Sequence, residues 1–211
     1  MACACLFRMT FPNADDESAL PTATDSDETL VARARLGDTL AFRLLVDRYQ
    51  SIVASVVVGM LGPGHDADDV GQETFIRFHN ALAQFRGDAA LSTYLRRIAM
   101  NLSLNALKQR RRFSLRLVSR DESRTSLNEP QVEAYDAERT ERIDVVRRAV
   151  AALGEKQRAV VVLRLLDGLS TNETAVILDL PAGTVMSRLA RGMTELERLL
   201  APYARGTTDG Q

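Results

Sequence analysis

The sequence predicts an all-α fold of two small helical domains joined by a flexible linker, and three observations lead there. Aromatic residues make up only 5% of the chain and Trp is absent, while Gly and Pro gather at a few points instead of recurring about every ten residues as in strand-and-turn proteins. Apolar residues return at three- and four-residue steps through most of the chain, which is the period of an amphipathic helix. That period fades between Ser114 and Pro130 into Ser, Arg, Asp, Glu and Asn, a linker composition. With 45% hydrophobic and 26% charged residues over 211 positions, the chain can bury one or two cores.

Residues 1–25 are polar, acidic and Pro-containing and read as a disordered leader. Ser26 is a candidate cap for a first helix, with Asp27 and Glu28 in its first turn and Leu30, Val31 and Ala34 along one face. Gly37 ends it. Asp38 caps a long core helix in which Phe42, Leu45, Val46, Tyr49, Ile52, Val53 and Val56 keep the helical step, and Gly62-Pro63-Gly64 breaks that helix. A third helix starts near Asp66 and runs through Phe75, Phe78, Leu82 and Phe85. After a turn at Gly87, Ser92 opens a fourth, with Tyr94, Leu95, Ile98, Leu102 and Leu107 as its stripe.

The first domain therefore spans 26–112 and the linker 113–131. Helical period resumes at Val132 and continues through Ile143, Val146, Val150 and Leu153 to Gly154, followed by helices over 155–166, 170–178 and 184–200. This second domain spans 132–201, and 202–211 reads as a disordered tail.

The net charge of −1 hides a strong segregation. Residues 86–120 hold nine Arg or Lys against Asp88 alone, whereas residues 1–30 and 121–144 each carry a net −5. A basic block between acidic segments is the footprint of a polyanion site. The acidic segments are expected to screen that block, so that the free chain binds DNA poorly. Cys3 and Cys5, the only cysteines, have no partner at zinc-site spacing and allow no disulfide framework. His65 and His79 stand without a catalytic constellation, so no catalytic residue, metal or cofactor is expected. The apolar stretch 52–62 reads as too short to cross a bilayer, which predicts a cytoplasmic protein with no stable membrane association of its own.

The stretch "STNETAVILDLPAGTVMSRLARGMTELERLL" at 170–200 has the pattern of a helix-turn-helix. Ser170 and Glu173 form a capping box, Asp179-Leu180-Pro181 makes the turn, and Thr184 is the candidate cap of the second helix. In that helix Val185, Leu189 and Leu196 face inward while Ser187, Arg188 and Arg191 project from the first turns. A polar helix start with arginines suits the DNA major groove, where Arg pairs bidentately with guanine.

With "LVARARLGDTLAFRLLVDRYQ", "DADDVGQETFIRFHNALAQFRG" and "LSTYLRRIAMNLSLNALKQRRR" in order ahead of it, the chain resembles the extracytoplasmic-function (group 4) sigma factors of bacterial RNA polymerase, sigma-70 family. These three segments are similar to that family's region 2, and 170–200 to its region 4. The resemblance implies a dissociable specificity subunit, tied to stress responses, that binds core RNA polymerase through the β′ clamp helices and the β flap. It also implies promoter DNA and a cognate anti-sigma factor as partners.

On the matching positions it implies core binding by Asp66, Asp69, Gln72 and Glu73. The −10 element falls to Asn80, Arg86, Tyr94, Arg97, Asn101, Asn105 and Lys108, and the −35 element to Thr184, Ser187, Arg188 and Arg191. Tyr94 and His79 stand where the family commonly carries Trp, Gly71 where a larger apolar residue is usual, and Met186 where some members are basic. Two other readings of the residues remain at this stage: a stand-alone helix-turn-helix regulator, and a polymerase-binding modulator that cannot melt DNA.

Overall fold

The structure, a computed structural model, describes residues 20–85, 87, 89–118 and 137–204. Among these there are eight α-helices and no strand. Cys3, Cys5, Arg86, the expected linker beyond Val118 and the end of the tail lie outside the described residues.

Local chemistry sets the first boundaries. Helix α1 (Asp27–Arg35) begins where the Ser26 hydroxyl accepts the Thr29 amide. Helix α2 (Thr39–Leu61) begins on the Asp38 carboxylate, which accepts the amides of Leu40 and Ala41, and it stops at Gly62, whose φ of +79° is a conformation only glycine adopts at little cost. Helix α3 (His65–Ala81) has Asp66 and Asp68 in its first turn and tightens at its end into a 3-10 turn. Helix α4 (Leu91–Val118) runs six residues beyond the expected boundary at 112, since Leu and Arg in that extension are good helix formers.

The leader is also shorter than expected. Pro21 is buried, Thr22 and Asp25 close a turn, and Arg48 on α2 donates to the carbonyls of Ala23 and Asp25 and to the Asp27 carboxylate. The same carboxylate accepts the Tyr49 hydroxyl proton, and burial first, then this hydrogen bond, pushes the phenol up to about 12.

In the second half, α5 (Ala137–Ala152) turns a different face inward from the one predicted. Ile143 and Val146 are 41% and 42% exposed, whereas Val145, Ala149, Val150 and Leu153 are buried. Its neighbours α2, α6 and α8 meet the 145–149 line, a rotation that apolar spacing alone does not fix in a segment with apolar residues on both sides. Helix α6 (Glu155–Val161) widens into a π-helical turn at Val162–Leu166. Helix α7 (Thr171–Leu178) carries the capping box as read: Ser170 Oγ accepts the Glu173 amide and Glu173 Oε2 accepts the Ser170 amide. Asp179 then ends α7 in the left-handed region at φ 52°. Helix α8 (Ala182–Ala204) includes Pro202 in its last turn, where the ring forfeits one amide donor without ending the helix, so the expected tail at 202 starts later.

The two helical groups, α1–α4 and α5–α8, bury one continuous apolar cluster that runs from Leu30 and Phe78 to Leu163 and Leu196. Helix α2 is its axis and packs on α1, α3, α4 and α5. At 23 residues it is, by length and composition, apolar enough to cross a membrane, unlike the shorter stretch 52–62 seen within it; in the fold its Leu45, Val53, Val56, Val57 and Met60 are core residues. The guanidinium of Arg158, itself buried, donates to the carbonyls of Met60 (2.8 Å) and Leu153 (3.0 Å) and so ties α6 to the end of α2.

Two substitutions probe this packing in opposite directions, both read by urea unfolding. Phe78 is completely buried against Phe42, Phe85 and Tyr94, so Phe78→Ala is expected to cost about 3–5 kcal/mol. A Cβ on Gly71 meets nothing within 4 Å, so Gly71→Ala is expected to stabilise α3 by about 0.5–1 kcal/mol.

The capping box also gives a pH window. Its hydrogen bonds to Ser170 hold the Glu173 carboxyl below its model value of 4.5. A lowered carboxylate contributes stability above its unfolded-state pKa and loses it as pH falls through the folded-state value. Acid titration by circular dichroism should therefore show Glu173→Gln less stable than the parent at neutral pH, with the difference shrinking below about pH 4.5.

Candidate nucleic-acid interface

Helices α7 and α8 meet across the Asp179-Leu180-Pro181 turn as a helix-turn-helix, and α8 is held by what it buries. Val185 is fully buried, Leu196 nearly so, and at Gly192 the backbone comes so near α6 that an added Cβ would lie 2.9 Å from Val161 Cγ2. That close approach fixes the angle of α8. Gly192 escapes sequence reasoning because glycine within a helix pattern carries no sign of its remote partner.

Thr184 is not the cap of α8. The Pro181 carbonyl already accepts the amides of Thr184 (2.9 Å) and Val185 (3.2 Å), so the first turn closes ahead of Thr184, which is the third helical residue and half-buried. Proline's fixed φ preorganises that start. Ser187 and Arg191 are exposed on one side of the first two turns; Arg188 is half-buried. The Ser187 hydroxyl donates to the Thr184 carbonyl (3.1 Å), and Arg191 Nε donates to the Ser187 carbonyl (3.2 Å). Nε is thereby engaged on the helix itself, and a guanidinium has further N–H donors at its fork. Met186 is also exposed on this side.

On the first half, Arg97, Asn101, Asn105 and Lys108 are all exposed at steps of four, four and three along α4, which aligns them as one strip of about three turns. Tyr94, at the head of that strip, is half-buried in an aromatic cluster with Phe85 (5.0 Å between centroids) and Phe78 (6.2 Å). Such packing presets the ring's orientation and leaves it one accessible side. His79 packs edge-on against Phe42 at 4.9 Å, and Asn80 is exposed in the last turn of α3. The strip is polar and basic, capable of phosphate contact and of hydrogen bonds to unstacked bases.

A third surface lies on α3. Asp66, Asp69 and Gln72 are exposed and Glu73 is half-exposed, all within a single helical face. Two of these carboxylates already have basic neighbours: Asp66 pairs with Arg110 of α4, and Glu73 pairs with Arg77 at 2.7 Å across an exposed i,i+4 step. Exposed pairs of this kind contribute little stability and exchange readily for another cation.

The sequence does not expose how far these surfaces interact. Arg96 Nε lies 2.5 Å from Asp167 Oδ2, just past the π turn, and Arg97 Nη2 donates to the Val176 carbonyl of α7. No local pattern pairs residues more than seventy positions apart.

Comparison with known proteins agrees with the order of these surfaces. The family profile for Sigma-70 region 2 matches residues 45–113, and that for Sigma-70, region 4 matches residues 143–196. The ECF RNA polymerase sigma-E factor of Escherichia coli (strain K12) is 40% identical over 189 residues, covering 85% of this chain and 97% of that protein. The RNA polymerase sigma-H factor of Pseudomonas aeruginosa is 34% identical over 187 residues, covering 86% of this chain and 97% of that one. Among solved structures, CnrH in complex with the cytosolic domain of CnrY superposes with a TM-score of 0.61 at 28% identity, over 84% of this chain and 99% of that one. With both sigma regions present in order and full-length relatives matched from end to end, the chain belongs to the sigma-70 family, among the extracytoplasmic-function sigma factors.

Proposed function

We propose that this chain is the dissociable specificity subunit of bacterial RNA polymerase: it binds the core enzyme, selects promoters by their −35 and −10 elements and helps open the duplex. The carrying observation is the pair of exposed polar surfaces, Ser187 with Arg191 on α8 and the Arg97–Asn101–Asn105–Lys108 strip on α4, one on each matched sigma region. Helix α8 enters the major groove of the −35 element, where Arg191 pairs with a guanine edge and Thr184, Ser187 and Arg188 contact neighbouring bases or phosphate.

The α4 strip, with Asn80 and Arg86 beside it, holds the −10 non-template strand once its bases leave the stack, and Tyr94 offers an aromatic side for one of them. The α3 face of Asp69, Gln72 and Glu73, together with Asp66, docks on the β′ clamp helices, while the second half docks on the β flap. Initiation needs no reacting group on this chain: discrimination and melting come from binding energy. The subunit works beside polymerase in the cytoplasm. CnrH, similar in fold, is seen bound to a domain of CnrY, and a cognate anti-sigma factor is the corresponding partner here, released when a stress signal arrives.

Run-off transcription on a fragmented genomic library, with purified core polymerase and with or without the chain, tests this reading. New start sites sharing −35 and −10 sequences are expected; their absence despite co-elution with core would leave a polymerase-binding modulator, and absence of co-elution as well a stand-alone regulator. On a promoter so found, Arg191→Ala should weaken −35 recognition by about 1–3 kcal/mol while core binding stays unchanged. Equal loss of both, in band-shift and co-elution assays, would mean that Arg191 serves the fold.

A further inference from the structure

The seam between the two halves uses side chains that the promoter reading assigns to DNA. Arg96 and Arg97 sit at the basic N-terminal end of α4. The first is paired with Asp167, both side chains being largely buried at 12% and 7% exposure, and the second donates to the Val176 carbonyl of α7. A guanidinium satisfied in this way cannot neutralise a phosphate in the same place. Ionic pairs withdrawn from water are also screened less by salt than exposed ones.

Apolar packing closes the same seam from the other side. Gly59 of α2 faces the π turn, and a Cβ placed there would be 2.8 Å from Val162 Cγ1 and 3.5 Å from Leu166 Cδ1. Val162 and Leu163 belong to the same buried cluster as Val53, Val56 and Val57, and Arg158 reaches across to the Met60 carbonyl. Two sets of long-range bonds and a shared core thus hold the halves in one arrangement.

That arrangement is too small for a promoter. A compact chain of this size has a radius of gyration of about 16 Å and so spans roughly 40 Å. Elements centred about 25 base pairs apart on a duplex rising about 3.4 Å per pair are separated by roughly 85 Å. The recognition face of α8 is exposed in the closed arrangement, so the seam obstructs the α4 end and the simultaneous use of both faces.

We propose that this packing is a self-inhibited state, in which α7 and the Asp167 turn occupy the α4 surface as an internal competitor of single-stranded DNA, and that core polymerase is the partner that parts the seam. The proposal rests on the promoter-specificity reading above and supplies its regulation. Polymerase opens the chain only by binding the parted form more tightly than the closed one, and its apparent affinity is reduced in proportion to the fraction of chains that are open.

A disulfide across the seam tests this. In a Cys3→Ser, Cys5→Ser background, Gly59→Cys with Val162→Cys places two thiols where the structure brings α2 and the π turn into contact. With core polymerase, the reduced protein is expected to transcribe like the parent and the oxidised protein at under about one-tenth of that level, with reductant restoring activity. Oxidised protein that transcribes as well as reduced protein overturns self-inhibition while leaving the promoter reading intact. Failure of the parent chain itself to program polymerase overturns the promoter reading and this proposal with it.

Asp167→Asn, which adds no bulk and lies outside the DNA-contacting residues, decides the matter even if the cysteine pair prevents folding. The free variant should bind a single-stranded −10 oligonucleotide roughly fivefold more tightly than the parent. Unchanged affinity, in a variant whose circular dichroism matches the parent, overturns the proposal.

Discussion

Burial of the C-terminal half of α2 is the constraint from which the rest of the structure follows. From Ser55 to Leu61 no residue of this helix is exposed, and the run Val56-Val57-Val58-Gly59-Met60-Leu61 offers water no polar side. A helix apolar around its circumference needs partners on every side. Helices α3 and α4 supply part of that cover, and α5 with the π turn supplies the remainder from the second half of the chain. Each buried methyl-sized group contributes roughly 0.8 kcal/mol, so the two sigma regions meet for a hydrophobic reason before any charge pairs form. The buried Arg158 follows from that contact: once α6 lies over the end of α2, its guanidinium satisfies carbonyls that water can no longer reach.

The three surfaces then divide according to what each exposes. The recognition helix is set by Gly192 and Val185, buried positions that hold Ser187 and Arg191 outward. The α4 strip is set by the opposite face of the same helix, where Leu91, Leu95, Ala99 and Leu102 enter the core. The α3 face owes its exposure to Thr74 and Phe78, which turn the other side of that helix inward. In each case the buried residue positions the exposed one, which explains why the polar surfaces are rigid enough to discriminate.

Legibility in the sequence divides along the range of the interactions. Ser26, Asp38 and the Ser170–Glu173 box act on amides within three residues, and all were readable. The glycine breaks were readable for the same reason. Thr184 failed as a cap because Pro181, three positions earlier, already closes the turn. Ile143 and Val146 failed as core because rotation of α5 depends on α2 and α8, remote in sequence. Gly59 and Gly192 are indistinguishable from ordinary helix defects until the opposing valines are seen. The Arg48 clamp on residues 23–27 and the Arg96–Asp167 pair are likewise products of tertiary folding. The candidate surfaces were legible as residues and positions; what the sequence withheld is that two of them share a seam.

The π turn at Val162–Leu166 has an implication for how this chain tolerates changes of length. Such a turn amounts to one extra residue accommodated inside an α-helix. Losing any one residue there would restore the tighter winding and rotate everything beyond it by about 100° relative to α2. Asp167 would swing away from Arg96, and α7 and α8 would present different sides both to the core and to DNA. Insertions and deletions that loops absorb easily are thus forbidden over these five residues, and homologous chains of this architecture are expected to vary in length elsewhere.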